Sequence, residues 1–115
     1  MATYIRWFMP GHGHWCYDEL DDSQWSQRHV EQRDRDDVFF AAASLAETLH
    51  ARDTGGWRAV AAYEYTYGIS PEAPLDFTPS DASELRITSL SAAGFERIWS
   101  EARAAREADW GVRPL

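Results

Sequence analysis

The prediction of the fold depends most on the stretch Trp57-Arg58-Ala59-Val60-Ala61-Ala62-Tyr63-Glu64-Tyr65-Thr66-Tyr67. Its odd positions hold a tryptophan, two alanines and three tyrosines, which alternate with a mostly polar set. A period of two residues is typical of a half-buried strand, and it predicts that all the aromatic rings lie on one face. The three alanines between positions 57 and 62 also suit a helix, which is the alternative for that part.

Upstream of this stretch, the sequence predicts four strands and one short helix. The strands are predicted over residues 4–9, 15–20, 27–33 and 38–43, the last two forming a hairpin around the charged turn 34–37. Ser44 and Glu47 have the spacing of a capping box, so a short helix is predicted from there to about Arg52. Gly55 and Gly56 are expected to end it.

Downstream, the proline-containing residues 70–83 are predicted to form a loop, and residues 85–88 a last short strand. Ser91 is placed to cap a final helix, whose apolar stripe is Phe95, Ile98, Trp99, Ala102 and Ala105. The sequence therefore predicts one α+β domain over residues 1–115. It consists of an antiparallel sheet of about five or six strands, a C-terminal helix packed on one face and one short additional helix.

Composition indicates the compartment in which the protein works and the classes of partner that it excludes. The chain of 115 residues has a formal net charge of −8, and all eleven of its basic residues are arginines. An acidic chain without an arginine cluster is repelled by phosphate backbones, so no nucleic-acid partner is expected. The single cysteine, Cys16, predicts a reducing compartment, and no leader or membrane-spanning run is recognised. We expect a cytoplasmic protein with no membrane association and no cofactor, either a monomer or a homodimer.

Both ends of the chain resemble a family of small uncharacterised bacterial domains. The resemblance rests on residues 4–7 (YIRW), residues 19–21 (ELD) followed by 28–31 (RHVE), and Ile87-Thr88 leading into the element Phe95-Glu96-x-x-Trp99. It implies a sheet, a hairpin and a closing helix, and it does not extend to residues 44–83. It implies no activity.

A metal site is one hypothesis for residues 12–19 (HGHWCYDE). On an extended chain His12, His14, Cys16 and Asp18 point to one side, and two histidines two residues apart can reach one metal ion. The predicted ligands are His12, His14 and Cys16. The alternative is a glycine-rich hairpin loop with solvated histidines and a buried cysteine.

A ligand pocket is a second hypothesis. Trp57, Tyr63, Tyr65 and Tyr67 would line it if the final helix leaves them uncovered, and they would suit a small aromatic ligand. His29 or Glu64 would then serve as a proton-transfer group. The alternative is that the aromatic stripe is core.

A docking surface is a third hypothesis. Asp21, Asp22, Asp36 and Asp37 would form an acidic field that attracts a basic protein. The alternative is that the charges of the hairpin pair across strands, arginine with carboxylate, as on any solvated sheet face.

The function favoured by the sequence is that of a small acidic bacterial binding or interaction protein, immunity-type or accessory, with an acidic, aromatic-rich surface. A small-molecule enzyme or binder from specialised metabolism, using the tyrosine-lined pocket or His12 and His14, is the alternative. A structural subunit that docks through the tail 110–115 is a third hypothesis.

Overall fold

A computed structural model describes the backbone of residues 1–111 and the side chains of residues 1–109, so the tail proposed for docking lies largely outside the described residues. Its elements are listed in chain order. They are β1 (Thr3–Met9), β2 (His14–Leu20), β3 (Ser26–Arg33), β4 (Phe39–Ser44), α1 (Leu45–Tyr67), α2 (Pro79–Glu84), β5 (Thr88–Leu90) and α3 (Ala92–Gly111). The strands form one five-stranded antiparallel sheet in the order β4-β3-β2-β1-β5. The predicted α+β class is confirmed.

Each face of the sheet buries its own apolar cluster, because successive residues of a strand point to opposite sides. On the helix face, Tyr17, Val30 and Ala42 pack against Phe95 and Ala102 of α3. On the opposite face, here called the loop face, the buried residues come from β1 and β2. They are Ile5, Trp7, Cys16 and Leu20, with Leu75, Phe77, Leu85 and Ile87 packed against them. The sheet is thus covered by α3 on one side and by the segment before β5 on the other.

The predicted strand over residues 57–67 is wrong, because these residues form the second half of α1. The alanines have the highest helix propensity, and a helix segregates the side chains at spacings of three and four residues. Val60 is buried and Tyr63 and Tyr67 are half-buried, whereas Trp57 and Tyr65 are 75% and 56% exposed. The aromatic rings therefore lie on two sides of a helix and not on one face of a strand.

The helix α1 reverses direction at Gly56, whose φ of 65° and ψ of −157° are not helical. The Oη of Tyr63 accepts a hydrogen bond from the backbone N–H of Ser44 at 2.8 Å. An unbroken helix would separate these two residues by roughly 28 Å, at 1.5 Å per residue. We call residues 45–55 the first limb and residues 57–67 the second limb of this helical hairpin. Helical geometry is interrupted at the predicted glycine pair, but the helix resumes beyond it, so α1 runs to Tyr67 instead of ending near Arg52.

Ser44 and Ser91 cap helices as predicted, whereas the elements between α1 and α3 differ from the prediction. Ser44 accepts from the N–H of Glu47 at 3.3 Å, as predicted, but the Glu47 carboxylate bonds to Tyr63 of the second limb and to Arg103 of α3 and does not reach back. Ser91 accepts from the N–H of Gly94 at 3.0 Å, which confirms it as a cap. The predicted loop 70–83 contains most of the short helix α2, and the last strand lies at Thr88–Leu90 instead of 85–88. Within residues 1–111, no helix combines the length and the apolar character that crossing a membrane requires.

Candidate functional site

A pocket of about 450 Å³ opens between the two limbs of α1 and the neighbouring part of α3. We call it the tyrosine pocket. Its lining residues come from three stretches that the reversal at Gly56 brings together. They are Ala46, Glu47, His50 and Ala51 of the first limb, Tyr63 and Tyr67 of the second limb, and Arg103 of α3.

The walls of the tyrosine pocket are aromatic rings and one guanidinium. The rings of Tyr63 and Tyr67 lie 5.0 Å apart between centroids, with an angle of 44° between their planes. The guanidinium of Arg103 lies 3.8 Å from the centre of the Tyr67 ring, within the range of a cation–π contact. Its Nη1 also donates to the carbonyl of Ala42 at 3.3 Å, so it is anchored to β4. Planar groups therefore form the walls of the pocket, and the bond from Arg103 to Ala42 attaches it to the sheet.

Polar groups of the pocket satisfy one another. The carboxylate of Glu47 accepts from Arg103 Nη1 at 2.7 Å and from Tyr63 Oη at 2.7 Å. Burial alone would raise the pKa of Glu47, but these two donors outweigh it and hold the pKa below its usual value. Burial is the main reason why the pKa of Tyr63 is raised, so its hydroxyl stays protonated. The charges of Glu47 and Arg103 cancel, which favours an uncharged ligand over a strongly charged one.

The structure brings together only part of the predicted ligand set. Tyr63 and Tyr67 line the pocket, while Trp57 and Tyr65 point to solvent from the second limb. Glu64 is not among the lining residues, and His29 lies in the sheet, buried on its loop face. Neither predicted proton-transfer group is therefore placed at the tyrosines.

Sequence reasoning missed Glu47, His50 and Arg103 as pocket residues. A signal existed for Arg103, because it continues the spacing of Phe95 and Trp99 along the apolar stripe of α3. An arginine on a stripe that faces other elements needs a partner there. The partner, Glu47, could not be assigned without knowing that α1 folds back.

The two acidic pairs lie at opposite ends of β3. Asp21 and Asp22 precede this eight-residue strand, and Asp36 and Asp37 follow it, so roughly 25 Å separates the pairs. Asp21 accepts from the backbone N–H groups of Ser23 and Trp25 at 2.9 and 3.0 Å, which gives it a role in the turn. The structure therefore does not bring the four carboxylates into one patch.

Cross-strand pairing accounts for Arg28, whereas Arg33 pairs with Asp36 within the turn of the hairpin at 2.9 Å. Arg28 and Glu19 are partners in the β2–β3 register, and Nε of Arg28 donates to the Glu19 carboxylate at 2.7 Å. Arg28 also pairs with Glu96 of α3. The hydrogen bonds to Glu19 first, and to Glu96 second, raise the pKa of Arg28, and Arg28 in turn lowers the pKa of Glu96. This network joins the helix to the sheet.

A series of polar side chains in mutual contact crosses the loop face of β2 and β3. His29 Nδ1 lies 2.7 Å from Asp18 Oδ1, and His29 Nε2 lies 3.0 Å from Glu31 Oε2. His14 Nδ1 lies 3.2 Å from the other oxygen of Glu31. We call His14, Asp18, His29 and Glu31, together with the adjacent Cys16, the polar chain.

The charges of the polar chain depend on one another. Burial opposes the charge of His29, but Asp18 and Glu31 outweigh it and raise the pKa of His29 to about 10. Burial would raise the pKa of Glu31, yet hydrogen bonds from His29 and His14 lower it. Burial, with Glu31 and Asp18 nearby, raises the pKa of the Cys16 thiol far above its usual range. The polar chain therefore contains the His29 imidazolium between the carboxylates of Asp18 and Glu31, with the neutral thiol of Cys16 beside them.

The predicted metal ligands are only partly adjacent in the structure. His14 and Cys16 share the loop face, as the alternation predicts, but His12 lies in the turn before β2 and contacts only the ring of His14 within this set, at 5.8 Å between centroids. Among the described residues, the group whose donor atoms all lie within 4.8 Å of one another is Cys16, His29 and Glu31. Two of these three come from β3, which the local pattern in residues 12–19 could not include.

Comparison of the chain with protein-family models, with curated proteins and with solved structures gave no match.

Proposed function

We propose that the protein is a small binding protein whose tyrosine pocket holds a small aromatic molecule. The observation that carries this proposal is the packing of two tyrosine rings and the Arg103 guanidinium around a pocket of about 450 Å³. Pockets of roughly 300–1,000 Å³ with aromatic walls and a few convergent polar groups are the usual sites of small ligands.

The chemistry of the walls specifies a planar, uncharged ligand. Aromatic rings favour offset or edge-on contact with another ring, which contributes about 0.5–1.5 kcal/mol beyond the area buried. Because Arg103 and Glu47 already pair, an added charge would have to break their 2.7 Å contact. The Tyr63 hydroxyl is already bonded to Ser44 and Glu47, and the Tyr67 hydroxyl donates to Glu107 at 2.8 Å. His50 and the acceptor lone pair of the Tyr67 hydroxyl are therefore the groups that can exchange hydrogen bonds with the edge of the ligand.

A panel of small uncharged aromatic compounds tests the proposal by saturation-transfer NMR. Binding compounds are then titrated while backbone amide shifts are recorded. We expect shifts at residues 46–51, 63–67 and 103, and at least a tenfold loss of affinity in Tyr67→Ala. Tyr65→Ala is the matched control, since it removes the same kind of ring from the solvent side of the same limb. Shifts elsewhere, or equal losses in both variants, would contradict the assignment of the pocket.

An immunity-type or accessory protein that binds a basic partner is the second candidate function. Its support is an exposed stripe on the second limb, Trp57, Ala61 and Tyr65, in a chain of formal net charge −8. Large aromatic side chains in contact with solvent are enriched in protein interfaces.

A pull-down followed by kinetics at several salt concentrations tests this second candidate. We expect a basic protein partner whose association slows as salt is added, and whose affinity falls in Trp57→Ser. Leu49→Ser, on the first limb and 38% exposed, is the control. Association that does not depend on salt, or equal effects of the two substitutions, would contradict it.

A further inference from the structure

The polar chain arises from the register of β2 and β3. Cys16 is opposite Glu31 in this register, and Asp18 is opposite His29. Directly opposed residues of an antiparallel pair have their Cβ atoms about 4.5–5.5 Å apart on the same face. A thiol, an imidazole and two carboxylates therefore converge on the loop face in the middle of the sheet.

Asp18 fixes the orientation of the His29 ring. Its carboxylate is fully buried and accepts from Trp7 Nε1 at 2.8 Å and from Ser26 Oγ at 2.6 Å. The bond that His29 Nδ1 donates to Asp18, at 2.7 Å, leaves Nε2 directed at Glu31. A carboxylate on one imidazole nitrogen, with the other nitrogen directed at further donor atoms, is the arrangement that orients metal-binding histidines.

We propose that the polar chain is a zinc site, with Cys16 Sγ, His29 Nε2 and the Glu31 carboxylate as ligands and His14 as the fourth. The donor atoms of the first three lie within 4.8 Å of one another. Around tetrahedral zinc, with bonds of about 2.0–2.3 Å, they would lie roughly 3.3–3.8 Å apart. The first three donor atoms reach these separations by moving at most about 1 Å, whereas His14, which is outside that group, has to move further to bind as the fourth. This proposal concerns the sheet and does not rest on the tyrosine pocket.

The kinds of donor atom in the site determine which metal ion it prefers. Thiolate and imidazole ligands suit zinc, whereas magnesium and calcium require oxygen ligands. Binding replaces the proton shared by His29 and Glu31 and the thiol proton of Cys16, and both protons leave to solvent. The Zn²⁺ charge is then balanced by one thiolate and one carboxylate. His14 and Glu31, whose side chains are 22% and 19% exposed, form the side from which an ion enters.

The test uses tag-free protein dialysed against Zn²⁺ and then analysed for bound metal. We expect one equivalent in the wild type and its loss in Cys16→Ala and in Glu31→Gln. His12→Ala is the matched control and should keep the metal, since His12 lies outside the proposed set. Zinc retained in both ligand variants, or lost in His12→Ala, would overturn the assignment.

Cobalt spectroscopy of the wild-type protein decides the question even if the variants fail to fold. Co²⁺ bound through Cys16 gives a thiolate-to-metal charge-transfer absorption, together with the visible bands of tetrahedral cobalt. Wild-type protein without such absorption after addition of Co²⁺ would overturn the proposal. His14→Ala should weaken zinc binding at least tenfold, and an unchanged affinity would overturn the role of His14.

Discussion

Replacing Gly56 by alanine tests whether the backbone reversal of α1 holds the pocket together. Gly56 has φ 65° and ψ −157°, a combination that is essentially restricted to glycine. A Cβ built on Gly56 meets no atom within 4 Å, so the substitution causes no clash. Its cost is therefore conformational, and residues held in such backbone regions cost about 1–3 kcal/mol each.

The loss of stability is measured by urea denaturation followed by circular dichroism. We expect Gly56→Ala to lower the free energy of unfolding by about 2 kcal/mol, which corresponds to a fall in Tm of roughly 8 °C for a domain of this size. If the hinge relaxes instead, the Tyr63 hydroxyl loses its partners Ser44 and Glu47, at about 1 kcal/mol for each hydrogen bond. Both routes give a loss of similar size.

Gly11→Ala is the matched control. A Cβ at Gly11 also meets nothing within 4 Å, and Gly11 does not have a left-handed φ. We expect no loss there, or a gain of up to about 1 kcal/mol from the less flexible unfolded chain. A loss below about 0.5 kcal/mol in Gly56→Ala, or an equal loss in both variants, would refute the reasoning.

Three further predictions concern hydrogen bonds described above. Tyr63→Phe should cost about 2 kcal/mol of unfolding free energy in urea denaturation, because two hydrogen bonds are lost, whereas Tyr67→Phe, which removes one exposed bond to Glu107, should cost no more than about 1 kcal/mol. Asp18→Asn should cost about 3 kcal/mol by the same measurement, since it leaves a buried imidazolium without its main partner; Asp22→Asn, at an exposed carboxylate, should cost little, and equal losses would contradict this account. The lowered pKa of Glu47 means that its ionised form stabilises the fold above the unfolded pKa of about 4.3, and that this contribution disappears as the pH falls through the lower folded pKa. The difference in stability between wild type and Glu47→Gln should therefore shrink between pH 6 and pH 3, and a constant difference would contradict this explanation.

The four strands β1–β4 could be predicted because their signals are local. Short runs rich in apolar residues, bounded by charged or glycine-containing turns, define each strand within eight residues. Residues 57–67 could not be assigned in the same way, because their pattern fits both a period of two and helical spacing. The choice is made by alanine propensity and by the tertiary bond from Tyr63 to Ser44, 19 positions away.

The residues of the candidate sites could likewise be predicted only where the signal is local in the sequence. Tyr63 and Tyr67, predicted from the sequence as ligand residues, line a pocket, but Glu47 and Arg103 join them only because α1 folds back beside α3. On the sheet, the alternation along β2 places His14, Cys16 and Asp18 on one side, as expected. Their partners on β3 follow from the strand register, which the local motif in residues 12–19 does not contain.

The close approach of Gly68 to β4 has a further consequence. A Cβ added to Gly68 would lie 2.6 Å from the Cβ of Ala41, so the chain leaves β4 at Ser44 and returns beside the same strand. The whole segment 45–67 is thus closed at its base, and lengthening a closed loop twofold costs only about 0.6 kcal/mol. The helical hairpin is therefore an insertion that starts and ends beside β4. Because lengthening costs so little, we expect relatives of this chain to differ most in the length of this segment, and we expect ligand preference to depend on it together with Arg103 of α3.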